Sequence, residues 1–101
     1  MPSSQFSNIF FPQSKKNRFL NRVTQDFNLF LRVQRKLGVV ARVALIFSRR
    51  GYDIHSFQYM PTQLENQANM HLSFKGNQEQ LRGVVNEIRK LSDVLQIDLL
   101  R

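Results

Sequence analysis

Asp53 and His55 stand two residues apart in a stretch rich in strand formers, a spacing that puts a carboxylate and an imidazole on one side of an extended chain. Such a pair serves acid–base chemistry only beside a nucleophile and an oxyanion site. The sequence has no Ser-His-Asp order in a nucleophile context and no phosphate-binding loop. Asp53 and His55 therefore read as two polar residues at an interface, and no catalytic residue is expected. His71 is the second of two histidines, it is isolated in sequence, and there is no cysteine, so no metal site is expected either. No cofactor is called for. The remaining candidates are binding groups. Gly38 precedes an apolar run of helical period, and backbone amides at a helix start can hold a carboxylate. The same glycine serves equally well as a turn residue that needs positive φ. Arg35 and Lys36 place two cations just before it.

These residues need elements to hold them. Phe27, Leu29, Leu31 and Val33 alternate with Asn28, Arg32 and Gln34, the period of a strand. After the break Arg35-Lys36-Leu37-Gly38, Val40, Val43, Ala44 and Phe47 fall at i, i+3, i+4 and i+7, which predicts a helix from Val39 to Arg49 with those four on its inner stripe. Arg49 and Arg50 suit the negative end of the helix dipole, and Gly51 is its stop. Tyr52 to Pro61 reads as a second strand. Ala68, Met70, Leu72 and Phe74 alternate with polar residues as a third. Asn77 is a candidate N-cap with Glu79 in the first turn, and Leu81, Val84, Val85, Ile88 and Leu91 recur at helical spacing. Leu95, Ile97 and Leu99 alternate as a last strand. The order β-α-β-β-α-β predicts an α+β, ferredoxin-like fold: a four-stranded antiparallel sheet with two helices on one face.

A chain of 101 residues fits one domain. Residues 1–26 read as a basic polar extension, partly disordered, with four basic residues against one acid. Phe6, Ile9, Phe10, Phe11, Phe19 and Leu20 are either a docking segment or sticky residues in a tail. The formal charge of +8 admits nucleic acid, an anionic membrane or an acidic partner without choosing among them. No apolar run approaches the roughly 20 residues that span a bilayer. The early Ile9-Phe10-Phe11 is cut by Pro12, so no secretory signal is expected and a cytoplasmic location follows.

Many functions use this topology. An RNA-recognition sheet needs two or three aromatic residues on its open face. Here Phe30 is alone there, because Phe74 shares the core face with Met70 and Leu72. Nucleic-acid binding is the weaker alternative on that count.

One resemblance is specific. From Gly38 to Phe57 the chain reads GVVARVALIFSRRGYDIHSF, and Lys90-Leu91-Ser92-Asp93-Val94 follows later. These segments resemble the ACT domain of the acetolactate synthase small (regulatory) subunit, with its Gly-x-Leu-x-Arg-Val, Leu-Phe-Ser-x-Arg-Gly-Tyr-Asn-Ile-x-Ser-Leu and Lys-Leu-x-Asp-Val patterns. The likeness covers Phe27 to Leu100 and assigns residues 27–101 to an ACT domain. It implies a non-catalytic subunit that binds and activates a thiamine-diphosphate-dependent acetolactate synthase catalytic subunit in branched-chain amino acid biosynthesis. It also implies a homodimer formed by side-by-side sheet pairing. A branched-chain amino acid effector would then sit at the interface, with Gly38, Val39 and Val40 giving helix-start amides and Asp53 and Ile54 coming from the paired subunit.

Two departures modify that expectation. Gln34-Arg35-Lys36-Leu37 replaces the Glu-Asn or Glu-Asp and two further residues usual before the glycine, and an ammonium beside Arg35 and Lys36 is unfavourable. Asp53 stands for the usual Asn and either restores an anion for the ammonium or pairs with Arg35. Reduced or absent valine sensitivity follows. So does an alternative: a free-standing ACT module that senses another amino acid or a carboxylate. The second, C-terminal domain common in the family is not seen in the sequence, which resembles the short, single-domain members.

Overall fold

The computed structural model describes residues 23–64 and 66–100, so the apolar residues of the N-terminal extension lie outside the described part. Six elements follow in the expected order: β1 (Gln25–Gln34), α1 (Val39–Arg50), β2 (Ile54–Pro61), β3 (Gln67–Gly76), α2 (Gln78–Arg89) and β4 (Val94–Leu100). The sheet is antiparallel with strand order β2-β3-β1-β4. Phe27, Leu29, Leu31 and Val33 of β1 and Ala68, Met70, Leu72 and Phe74 of β3 are buried on one face, beneath inward residues of both helices. Polar alternates line the other face, where Phe30 lies opposite His71 on one side and Asp98 on the other.

Local geometry differs from the sequence expectation in four places. β1 starts at Gln25, two residues before the apolar alternation, because Gln25 and Asp26 still pair with Gly76 and Lys75. β2 starts at Ile54, since Gly51 to Asp53 form the turn, and His55 falls where its register against β3 shifts. The buried stripe of α1 is Val39, Val43, Ile46 and Phe47, not Val40 and Ala44. Seven of the first eight residues of the helix, all but Arg42, are apolar, so period there does not select the inner face; with Val39 inward, Val40 and Leu45 stand exposed. In β4 the register against β1 shifts between Arg32 and Val33, which turns Val94 inward and leaves Leu95 exposed.

The two ends of α1 are built differently. At its end, Gly51 takes φ 74 in the left-handed region. Its N–H donates to Ser48 C=O at 3.1 Å, and Tyr52 N–H donates to Phe47 C=O at 2.9 Å. This is a Schellman motif, which satisfies the last carbonyls of the helix. Aromatic packing reinforces it: the Phe74 ring takes Phe47 edge-on at 5.2 Å, stacks with Tyr52 at 6.3 Å and meets Phe27 at 5.6 Å. The start of α1 has no such closure, and it is where the candidate residues gather.

Candidate functional site at the start of the first helix

Gly38 is the N-cap of α1, with φ 87, and no side chain bonds to the amides of the first turn. The positive φ supports the turn reading of this glycine, and Val39 N–H donates to Lys36 C=O at 3.1 Å. The same turn contains no acidic residue. Nearby, Arg42 Nη2 donates to Asp93 Oδ2 and approaches Leu37 C=O at 3.5 Å, so its guanidinium folds back over Gly38. A Cβ on Gly38 would stand 3.1 Å from Arg42 Nη1, so the close packing of that side chain adds to the demand for glycine.

Asp93 holds this corner together. It is 5% exposed, the one buried charged residue among the described residues, and a buried carboxylate needs partners. Arg42 supplies the closer one and Lys36 Nζ lies 4.0 Å away. Asp93 also accepts Gln34 N–H at its backbone carbonyl, at 2.8 Å. One residue thereby ties the start of β4 to both the end of β1 and the first turn of α1.

The candidate residues divide into two groups. Gly38, the buried Val39 and the exposed Val40 stand at the start of α1, with Arg35 in the loop before it. Asp53 and Ile54 stand past its far end, Asp53 exposed and Ile54 partly buried. A 12-residue helix separates the groups by about 18 Å. Within one chain they do not meet. Among the described residues no group of three or more His, Cys, Asp or Glu could hold a metal ion. No described helix is long and apolar enough to cross a membrane.

The family model for the AHAS small subunit-like ACT domain matches residues 29–96. The chain belongs to this family. An acetolactate synthase small subunit from Mycobacterium avium is 33% identical over 73 residues, covering 72% of this chain and 44% of the relative. A probable acetolactate synthase small subunit from Archaeoglobus fulgidus is 31% identical over 65 residues, covering 64% of this chain and 41% of the relative. The chain thus spans less than half the length of these relatives. Among solved structures, the acetolactate synthase small subunit from Thermotoga maritima superposes with TM-score 0.69 at 22% identity, over 76% of this chain and 48% of that one. The ACT domain of a GTP pyrophosphokinase from Chlorobium tepidum gives 0.66 at 14% identity, over 77% of this chain and all of that one. These likenesses support the ACT fold.

Within the AHAS small subunit-like ACT frame, the pairing of Arg42 with Asp93 joins two segments that the sequence displays separately: the arginine of the helix-start motif and the aspartate of the Lys-Leu-x-Asp-Val run. They are 51 residues apart. Composition and period carry no sign of the contact. The one available signal is that both residues belong to the quoted motifs.

Proposed function

We propose that this chain is a non-catalytic regulatory subunit that binds and activates the catalytic subunit of acetolactate synthase, and so acts in branched-chain amino acid biosynthesis. The match of residues 29–96 to the AHAS small subunit-like ACT family carries this reading. The catalytic partner is the thiamine-diphosphate enzyme; this chain supplies no catalytic group of its own. It works in the cytoplasm as a homodimer.

The dimer forms side by side through β2, an edge strand. Pro61, Ala68, Val33 and Gln34 lie toward one end of the sheet, the end at which α1 starts. Antiparallel pairing of two β2 strands carries the partner's Ile54 and the partner's Asp53 to that end. The two groups of candidate residues, separated by the length of α1 in one chain, then face each other across the interface. Exposed Val40 and Leu45 on α1 and Met60 on β2 give the pairing apolar surface to bury.

An effector at this interface sets its carboxylate on the helix start at Val40, since Val39 N–H already donates to Lys36 C=O at 3.1 Å. Its ammonium meets the partner's Asp53, with Arg35 and Lys36 opposing it, so valine acts weakly or not at all. The decisive experiment is co-purification with the acetolactate synthase catalytic subunit encoded in the same genome, followed by an activity assay. A stable complex with several-fold higher activity is expected. Absence of both complex and activation overturns the subunit reading.

A further inference from the structure

The sheet has two edges, and β4 is the one opposite β2. Among the described residues no strand lies beyond it. An edge strand turns a row of N–H and C=O groups outward, and proteins commonly blunt such edges with proline, lysine or a bulge along the strand. β4 reads VLQIDLL from Val94 to Leu100, with no proline, no lysine and one charge. Its one irregularity against β1 lies before Gln96, so Gln96 to Leu100 run on without a break. Leu95 and Leu100, toward the two ends of the strand, are large apolar side chains left exposed.

The side chains of this strand complement themselves. Ile97 is fully buried and Leu99 packs against the core, so both point inward, and by alternation Gln96, Asp98 and Leu100 line the open face. Across β1, Gln96 stands opposite Arg32 and Asp98 opposite Phe30. Among the described residues neither the Gln96 nor the Asp98 side chain has an ion pair or a hydrogen bond. An amide and a carboxylate thus flank Ile97, one on each side, both half-buried and both without a protein partner.

Two β4 strands laid antiparallel must keep their inward residues on the same face, which limits the register to those centred on a residue. Centring on Asp98 sets two carboxylates directly opposite each other, an unfavourable pair. Centring on Gln96 sets Asp98 against the partner's Val94, and centring on Leu99 sets it against the partner's Leu100, so neither gives the carboxylate a donor. Centring on Ile97 sets Gln96 against the partner's Asp98 twice over, once on each side of the two-fold axis. It also brings exposed Leu95 beside the partner's Leu99.

We infer that β4 is a second contact surface between copies of this chain, pairing antiparallel with β4 of another copy about Ile97. The contact uses the edge opposite β2, and it stands or falls separately from the subunit reading above.

The chain has no cysteine, so a thiol can be introduced at one chosen place. Full-length Gln96→Cys and Asp98→Cys chains are treated, singly and mixed, with a thiol crosslinker that spans about 5 Å, the distance between directly opposite positions. In the assigned register position 96 of one copy faces position 98 of the other, while like positions lie on a diagonal about 7–8 Å apart. The mixture, which keeps one amide–carboxylate contact intact, is expected to crosslink several-fold faster than either chain alone. Faster reaction of either chain alone, or no reaction in any sample, overturns the assignment. Association measured by sedimentation gives the second test. Gln96→Asp opposes two pairs of carboxylates across the axis yet faces Arg32 within its own chain, so association should weaken about fivefold while the fold keeps its thermal stability. Gln96→Lys sets an ammonium opposite each Asp98 and should strengthen association about threefold. Association unchanged in both variants, or changed in the same direction in both, overturns the assignment.

Discussion

At the start of α2, Asn77 and Gln80 close on each other: the Asn77 side chain accepts Gln80 N–H at 2.8 Å and the Gln80 side chain accepts Asn77 N–H at 2.9 Å. This capping box satisfies two donors that a helix otherwise leaves bare. At the start of α1 a glycine stands in that place, no side chain hydrogen-bonds to the first-turn amides, and the nearest strong contact is an ion pair between Arg42 and Asp93. The outer surfaces differ in the same sense. Gln78, Glu79, Arg82, Asn86 and Arg89 make α2 polar outside, whereas α1 exposes Val40, Ala41 and Leu45 beside Arg42, Ser48, Arg49 and Arg50. α2 is finished by its own residues. α1 is finished by a tie to a distant strand and has donors and apolar surface to offer. In a domain of this size the contrast separates a helix whose start is closed by its own residues from one whose start is braced by a distant strand.

Substitutions at the two helix starts test that contrast. The largest effect belongs to Arg42→Ala. It leaves the buried Asp93 carboxylate with only the more distant Lys36 and should cost about 2 kcal/mol, read as a lowered urea midpoint with unchanged slope. Asn77→Ala opens the capping box and should cost about 1 kcal/mol. It should leave activation of the catalytic subunit and any effector response as they were. Loss of effector response in Asn77→Ala at full folding would break the division between the helices. The smallest stability effect belongs to Asp53→Asn, an exposed change expected to stay within about 0.5 kcal/mol. Its effect is on response: an uncharged group replaces the anion at the proposed interface, and sensitivity to valine should change in an inhibition assay of the reconstituted enzyme. An unaltered response would remove Asp53 from the effector site.

The order of elements, the Gly51 stop, the Asn77 cap and the inward Phe74 were all readable, because each rests on local chemistry: a period, a positive φ or a short-range hydrogen bond. Three features were not. The inner stripe of α1 is set by how β1 delivers the chain into Val39, and a run of Val, Ala, Leu, Ile and Phe gives period too little contrast to find it. Leu95 alternates correctly with Ile97 and Leu99, yet a register shift against β1 turns it outward, and such shifts are settled between strands. A cavity lined by Gln34, Gln67 and Leu95 exists because three segments distant in sequence converge at one end of the sheet. Of the candidate site, the helix-start glycine was legible by itself, its Arg42–Asp93 brace only after folding.

Strand order has a consequence for how the chain becomes a domain. β1 is an interior strand, with β3 on one side and β4 on the other. A ribosome delivers β1 first of the six elements and β4 last. Until Val94–Leu100 has been made, one edge of a strand with four buried apolar residues has no neighbour, and Asp93 is not yet there to receive Arg42. Such non-local pairing slows folding, and an unpaired edge invites association. Shortening the chain before Val94 would do the same permanently. It would remove the outermost strand on paper, but in the molecule it would turn a central strand into an exposed edge.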